Sequence, residues 1–382
     1  MEAWKKIIAK DFCLNVTDGT HDSPHRVTEG KYLVTSKHIK DNKIDLGSAY
    51  KISTEDYNKI IQRSKVDQWD IIISMIGEYC GFCYLESNPT PEYAIKNVGL
   101  FKVGDELKSR WLFYYLNSPQ GKQQLFQLRS GSTQPYITLN SLRNISIPTP
   151  SEKEMQFVVD ILKSIDDKIE LNNRINHNLE QQAQALYKSW FVDFEPFKNE
   201  TFMESELGMI PKGWKTGMLS DLLEVRYGKD HKNLADGTVP VYGSGGLMRY
   251  AEKALYENES VLIPRKGTLN NVMYVSKPFW TVDTMFYTVE KAINSIKYCH
   301  QFLHTQDLAS MNAGSAVPSM TTEILNNLKL IIPSDSVLKD FNRVVSSLYT
   351  NIECRISETG KLMAYRDSIL PKLMSGEELI TC

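Results

Sequence analysis

Long apolar runs are missing from this sequence. Its apolar stretches are only a few residues, such as Ile71-Ile72-Ile73. A bilayer-spanning helix needs about 18–20 consecutive apolar residues, so none is expected. The start, Met-Glu-Ala-Trp-Lys-Lys, lacks the basic-then-apolar order of a secretory signal, and a cytoplasmic protein is expected. Cysteine is sparse and scattered, with six at 13, 80, 83, 299, 354 and 382, which suits a reducing compartment and not a disulfide scaffold. Neither charge sign is in excess: 44 Lys+Arg face 46 Asp+Glu, net −2, which excludes a strongly basic nucleic-acid coat but permits local patches. Low apolar content is not a feature either. With 42% hydrophobic and 24% charged residues over 382 positions, the chain reads as two or three folded domains.

Catalytic signatures are also absent. There is no Gly-x-Ser-x-Gly elbow, and no carboxylate pair with a following Lys for catalytic magnesium. The Asn/Asp-Pro-Pro-Tyr/Phe signature of adenine methylation is missing too. Gly243-Ser244-Gly245-Gly246 lacks the Gly-Lys-Ser/Thr of a phosphate loop and reads as a turn. Cys80-Gly81-Phe82-Cys83 follows a strand-like run and leads into a proline-rich segment. No helix end is there to activate a thiol and no second pair to complete a zinc site, so a packing role is expected. His21 and His25 are separated by Asp22-Ser23-Pro24, which breaks a helical ligand face. These absences favour a binding or organising role over an enzyme.

What the sequence does contain is a repeat. Gly131-Ser132-Thr133-Gln134-Pro135 matches Gly314-Ser315-Ala316-Val317-Pro318 at an offset of 183. The register then holds through Thr138/Thr321, Leu142/Leu325, Asn144/Asn327, Pro150/Pro333, Ile169-Glu170/Ile352-Glu353 and Leu179/Leu362. The front ends align at an offset of 210, with Trp4-Lys5 on Trp214-Lys215 and Asp11 on Asp221. The copies share a frame and differ in their insertions.

Each copy ends in an expected long helix. Residues 151–195 hold no proline or glycine, and Ser151 with Glu154 forms a Ser-x-x-Glu capping box. Heptad positions Val158, Ile165, Asn172, Leu179 and Leu186 make one apolar seam, and Phe341, Leu348, Arg355, Leu362 and Ile369 its counterpart. Asn172 and Arg355 are equivalent by the 183 offset, and a polar seam residue can fix register. A helix of ~45 residues is a rod of roughly 65 Å. Two ordinary core helices are the plainer alternative. The remainder alternates short β-type runs with turns and a few helical stretches, such as 53–63 and 110–116, giving a mixed α/β (α+β) unit in each copy. The expected organisation is a first globular domain over 1–150 and a long helix over 151–198. A second globular domain over 199–333 and a second long helix with its tail over 334–382 complete it.

Charge follows this division: residues 1–150 are net +3, 151–206 net −6, 207–333 net +2 and 334–382 net −1. Values of +2 and +3 are small enough for ordinary scatter; the functional alternative is that only the globular segments need to approach a polyanion. A duplex reader needs cations for phosphates and amide, guanidinium or hydroxyl groups for base edges. Such mixtures occur at Thr20-His21, at Lys37, His38 and Lys40, and at Arg129, Thr133, Gln134 and Tyr136. The second copy offers Arg226, Lys229, Tyr242, Ser244, Arg265 and Lys266. Taken singly, each stretch also reads as a solvated loop.

These residues resemble a family. Asp18-Gly19-Thr20-His21, Thr35-Ser36-Lys37-His38-Ile39, the Gly-Ser-Thr-Gln before Pro-Tyr-Ile, and Ile210-Pro211-Lys212-Gly213-Trp214 look like the specificity subunits of type I restriction–modification systems. The resemblance covers nearly the whole chain. It implies two tandem target recognition domains and long helices pairing as an antiparallel coiled coil with pseudo-two-fold symmetry. It implies double-stranded DNA, two modification (methyltransferase) subunits and restriction subunits as partners. S-adenosylmethionine, ATP and magnesium would sit on those partners, with no cofactor or metal in this chain. One departure is that Gln134 becomes Val317 in the second copy, so a contact assigned to Gln134 cannot be transferred. Two other readings stand beside this one: a coiled-coil adaptor that binds only protein, and a chain that is itself a nuclease or methyltransferase.

Overall fold

The structure, a computed structural model, describes residues 4–40, 42–131, 133–314 and 318–376. Ser132, Ser315, Ala316, Val317 and the tail beyond Gly376 lie outside the described residues. The chain forms two compact units, residues 1–170 with 359–382, and residues 171–358. Their boundary falls inside two long helices, Glu152–Phe191 of 40 residues and Asp335–Ser375 of 41. Each unit therefore contains half of each helix. Among the described residues no helix is long and apolar enough to cross a membrane.

The first helix starts where its capping box sits. The Ser151 amide donates to Glu154 Oε2 at 2.8 Å, and the Glu154 amide to Ser151 Oγ at 3.4 Å. It stops before Phe194, which is left-handed (φ 53°), and Pro196. The second helix stops at Gly376 (φ 80°), where a left-handed terminus favours glycine.

The two helices pair antiparallel. In the second unit Asn172 Nδ2 donates to Glu358 Oε2 at 2.8 Å, while the rings of Phe191 and Phe341 meet at 4.9 Å. In the first unit Arg366 donates to Asp166 Oδ1 at 2.9 Å, and the Tyr114 hydroxyl to Asp166 Oδ2 at 2.8 Å. Val158, Ile165 and Ile369 are buried in the first unit's core, with Leu362 packed against it. Phe341 is buried in the second unit's core, and Leu186 and Leu348 pack on it. Each of the buried side chains Val158, Ile165, Phe341 and Ile369 contributes about 1.5–3 kcal/mol of burial. Asn172 is fully buried, whereas Leu179 and Arg355 are half-buried.

Each unit carries a mixed α+β fold with the same wiring. A two-stranded ribbon brings its ends together: Lys5–Ile8 pairs with Ser146–Thr149, and Lys215–Met218 with Lys329–Ile332. In the first unit a four-stranded antiparallel sheet runs Asn15–Asp18, Val98–Lys102, Ile71–Ser74, Cys83–Leu85. In the second it runs Leu223–Tyr227, Met285–Glu290, Ser260–Pro264, Met273–Val275. Ile71, Ile72 and Ile73 are fully buried because both sheet faces are covered, which explains a continuous apolar run. A three-stranded sheet with one parallel pair accompanies each: Lys51–Ile52, Lys31–Val34, Tyr93–Ile95, and Gly246–Ala251, Val239–Gly243, Trp280–Thr281.

The expected helices over 53–63 and 110–116 are present as Thr54–Ser64 and Glu106–Asn117. Sequence reading left out Pro119–Gln127 and Ile296–His304. The second has only nine residues and is nearly all buried, with Lys297, His300 and Gln301 buried beside its apolar residues.

Candidate nucleic-acid interface

In each unit the four-stranded sheet gathers several loops at one end. Asp18 lies opposite Gly99, Ser74 opposite Val98, and Cys83 opposite Ile73. The loops after Asp18 and Ser74 and the turn before Val98 therefore leave the sheet on the same side. The second unit repeats this with Tyr227 and Ile263 opposite Phe286, and Met273 opposite Leu262. A further loop docks on this edge. In the first unit the Gly77 amide donates to the Pro135 carbonyl and the Ile137 amide to the Met75 carbonyl, both at 2.9 Å. In the second the Gly267 amide donates to Pro318 at 3.2 Å and the Met320 amide to Arg265 at 2.8 Å. Gly77 and Gly267 are both left-handed, φ 82° and 86°, as such a turn requires.

On the first unit's edge the His21 ring is exposed. Its Nδ1 is 2.9 Å from Asn97 Oδ1 and its Nε2 is 3.1 Å from Asp18 Oδ2. Asp18 is buried and also takes the Arg63 guanidinium. Thr20 Oγ1 accepts the Asp22 amide at 3.1 Å, and Lys96 beside it donates to Ser23 Oγ at 2.5 Å. The Ser36 hydroxyl donates to the Asn97 carbonyl at 3.3 Å, tying the turn Ser36–His38 to this edge and leaving Lys37 exposed. Lys40 is exposed on the small ribbon that follows. Thr133, Gln134 and Tyr136 are exposed on the docked loop.

His38, a residue expected at a DNA surface, is instead only 1% exposed. Its Nδ1 accepts the Thr35 amide at 2.9 Å, so the ring caps its own turn. Burial and the neighbouring Lys37 push its pKa down, which keeps it neutral. Arg129 is half-buried, donates to the Cys80 carbonyl and covers the Phe126 ring at 5.5 Å. It braces the docked loop from behind. Cys80 and Cys83 are buried, and burial pushes the Cys83 thiol up to about 12, which suits the packing role.

On the second unit's edge stand Lys229, Ser244, Arg265 and Lys266. The Arg265 and Lys266 amides both donate to the Thr284 carbonyl, at 2.9 and 3.2 Å. The Arg265 guanidinium lies 5.7 Å over the exposed Tyr227 ring. The Lys229 amide donates to Thr281 at 2.9 Å, which turns its exposed side chain outward from the strand end. The Ser244 carbonyl accepts Asn271 Nδ2 at 2.8 Å, holding that turn beside Gly267. Arg226 is exposed and ion-paired with Glu224 at 2.7 Å, and Tyr242 is half-buried, its carbonyl accepting the Val282 amide at 3.0 Å beside this edge.

Sequence reading missed Arg63, Lys96, Asn97 and the pair Gly77/Gly267. A faint signal exists for that pair: residues 71–85 align without a gap on 261–275, placing Gly77 on Gly267 and Tyr84 on Tyr274. Asn97 is visible only through its left-handed backbone, φ 54°.

Both units thus present one frame with different polar side chains upon it. The chain matches the family described as type I restriction modification DNA specificity domain, over residues 1–181 and 211–355. It is 28% identical over 327 residues to the type I restriction enzyme MjaIX specificity subunit of Methanocaldococcus jannaschii, covering 78% of this chain and 75% of that one. It is 25% identical over 340 residues to the HindI specificity subunit of Haemophilus influenzae, covering 67% and 73%. Among solved structures, the S subunit of the type I system from M. genitalium superposes with a TM-score of 0.58 at 16% identity, covering 97% and 96%, and shares the fold. Two matched domains, tandem recognition folds and two long helices together make this chain a member of the type I restriction–modification specificity subunit family.

Proposed function

We propose that this chain is the non-catalytic DNA reader of a type I restriction–modification complex. Each unit takes a different half-site of a split target. The long helices hold the unread gap and offer the surface on which methyltransferase and restriction subunits dock. S-adenosylmethionine, ATP and magnesium belong to those partners in this reading. The observation that carries it is the repeated strand-end frame. Gly77–Pro135 and Gly267–Pro318 are equivalent bonds, yet the side chains around them differ: Thr20, His21 and Gln134 in one unit, Lys229, Arg265 and Lys266 in the other. One backbone frame with two side-chain sets suits the reading of two different sequences. Lys and Arg would supply the salt-dependent contacts to phosphates, and amide and hydroxyl groups the base-edge contacts.

The test is to co-express the chain with its candidate methyltransferase and map methylated adenines in the host genome by single-molecule sequencing. A split motif that depends on this chain is expected, and swapping residues 207–333 should change one half-site only. A soluble complex with an active methyltransferase but no chain-dependent motif would favour the protein-only adaptor.

A further inference from the structure

The first unit carries a concave feature away from its strand-end loops. A groove of about 550 Å³ is lined by Arg26, Tyr32, Gly47, Tyr50 and Lys51, among others. Its walls are the strand Lys31–Val34, the strand Lys51–Ile52 and the segment around Val27, whose amide donates to the Lys51 carbonyl at 2.9 Å. The Lys51 ammonium is held 5.5 Å over the Tyr32 ring, which restricts where it points. Among the described residues neither Arg26 nor Lys51 has a carboxylate partner, while nearby Lys31 is already paired with Glu92 at 2.8 Å. Beside the groove's Gly47, Asp45 accepts the Ser48 amide at 3.2 Å.

Two cations and two tyrosines line one concave wall, a chemistry that suits an anion with several oxygens. Its location selects the anion. Tyr32 lies two residues along its strand from Val34, whose carbonyl accepts the Lys96 amide at 2.9 Å, and Lys96 bridges to Thr20. At ~3.3 Å per residue along the strand and ~4.8 Å for each of the two strand gaps crossed, Tyr32 lies on the order of 14 Å from Thr20. A duplex lying on the Thr20 edge covers such a span, since its major groove alone is about 12 Å wide, and its backbone can therefore meet the groove.

We propose that this groove seats the sugar–phosphate backbone of duplex DNA beside the half-site read by the first unit, with Arg26 and Lys51 as the charge partners. The inference rests on the DNA-reading function above. Arg26 and Lys51 supply affinity and register in this arrangement, and read no bases.

The experiment uses the intact complex of this chain with its methyltransferase and a duplex carrying the mapped motif. Fluorescence anisotropy gives the affinity across a salt series. The Arg26→Ala/Lys51→Ala variant should lower the slope of log affinity against log salt by about 2, near 0.9 for each lost phosphate contact. Arg26→Lys/Lys51→Arg should keep the slope, and Arg26→Gln/Lys51→Gln should repeat the loss while retaining the apolar stems. The methylated motif should be unchanged in all three. An unchanged slope in the neutral variants would overturn the backbone seat. A changed motif would make the pair base readers and overturn it too. A wild-type complex that neither binds DNA nor methylates a motif would instead sink the DNA reading itself, and this proposal with it.

Discussion

Gly19 and Gly228 hold the same position in the two units. The amide of Gly19 donates to the Val98 carbonyl at 2.9 Å, and that of Gly228 to the Met285 carbonyl at 3.0 Å. A Cβ on Gly19 would come within 2.3 Å of the Ile95 oxygen, and one on Gly228 within 2.0 Å of the Val282 oxygen. Neither glycine is there for a left-handed backbone. Each lets the chain leave the sheet pressed against a carbonyl at the end of a neighbouring strand, where half-buried Thr20 or exposed Lys229 follows.

Gly19→Ala and Gly228→Ala should each cost about 1–3 kcal/mol, because the obstructing atoms are backbone and the strand must shift. Each should also weaken methylation through the half-site of its own unit. Chemical unfolding of the full chain gives the first quantity; a variant as stable as wild type would show that the close approach is not needed.

Lys266→Ala should reduce the salt slope of DNA binding by about 1, and adding Arg265→Ala should reduce it further by up to about 1. The two differ because Lys266 is exposed, whereas Arg265 is half-buried over Tyr227. Removing Arg265 therefore also costs packing. Binding across a salt series separates the two effects, and an unaltered slope would remove both from the phosphate contacts.

Deleting seven residues from each of 158–190 and 341–373 removes one heptad per helix and keeps the seams in register. The loss of about 10 Å per helix corresponds to about 3 base pairs at 3.4 Å each. The mapped motif should keep both half-sites and lose roughly that much gap. If the gap stays the same, helix length does not set it.

Acid should weaken the second unit. His300 is buried, with Nδ1 2.7 Å from the Tyr349 hydroxyl and Nε2 3.2 Å from His304 Nε2. Burial, then the neighbouring His304, push its pKa well below the ordinary 6.5. His304 is lowered in the same direction by burial. The unfolded chain then binds protons that the folded chain refuses, so the stabilisation is complete above about 6.5 and is lost as pH falls below it. His300→Gln, which cannot titrate, should flatten the fall in melting temperature between about pH 6.5 and 5. An equal fall in variant and wild type would exclude His300 as its source.

Much of the frame was legible because it depends on local pattern. The Pro- and Gly-free segment and the Ser151/Glu154 box marked the first long helix, and its seam residues Val158 and Ile165 are buried as the heptads required. Loop residues are less legible, because their exposure is set by tertiary contacts and not by local pattern. Lys37 and His38 are adjacent and both polar, yet one is exposed and the other buried. Arg129 looked like a base or phosphate contact but spends its guanidinium on the Cys80 carbonyl.

The sequence by itself determined the duplication, the two long helices, the tandem α+β units and the family. All of these rest on periodicity, capping and repeated order, which are written along the chain. Only the tertiary structure decided that Gly77 meets Pro135, that Gly267 meets Pro318, and that Lys96, Asn97 and Arg63 join Thr20 and His21. Those meetings depend on strand order and register between segments 40 to 80 positions apart. No local propensity encodes them, because pairing distant strands trades loop-closure entropy against contacts made only once the whole sheet exists.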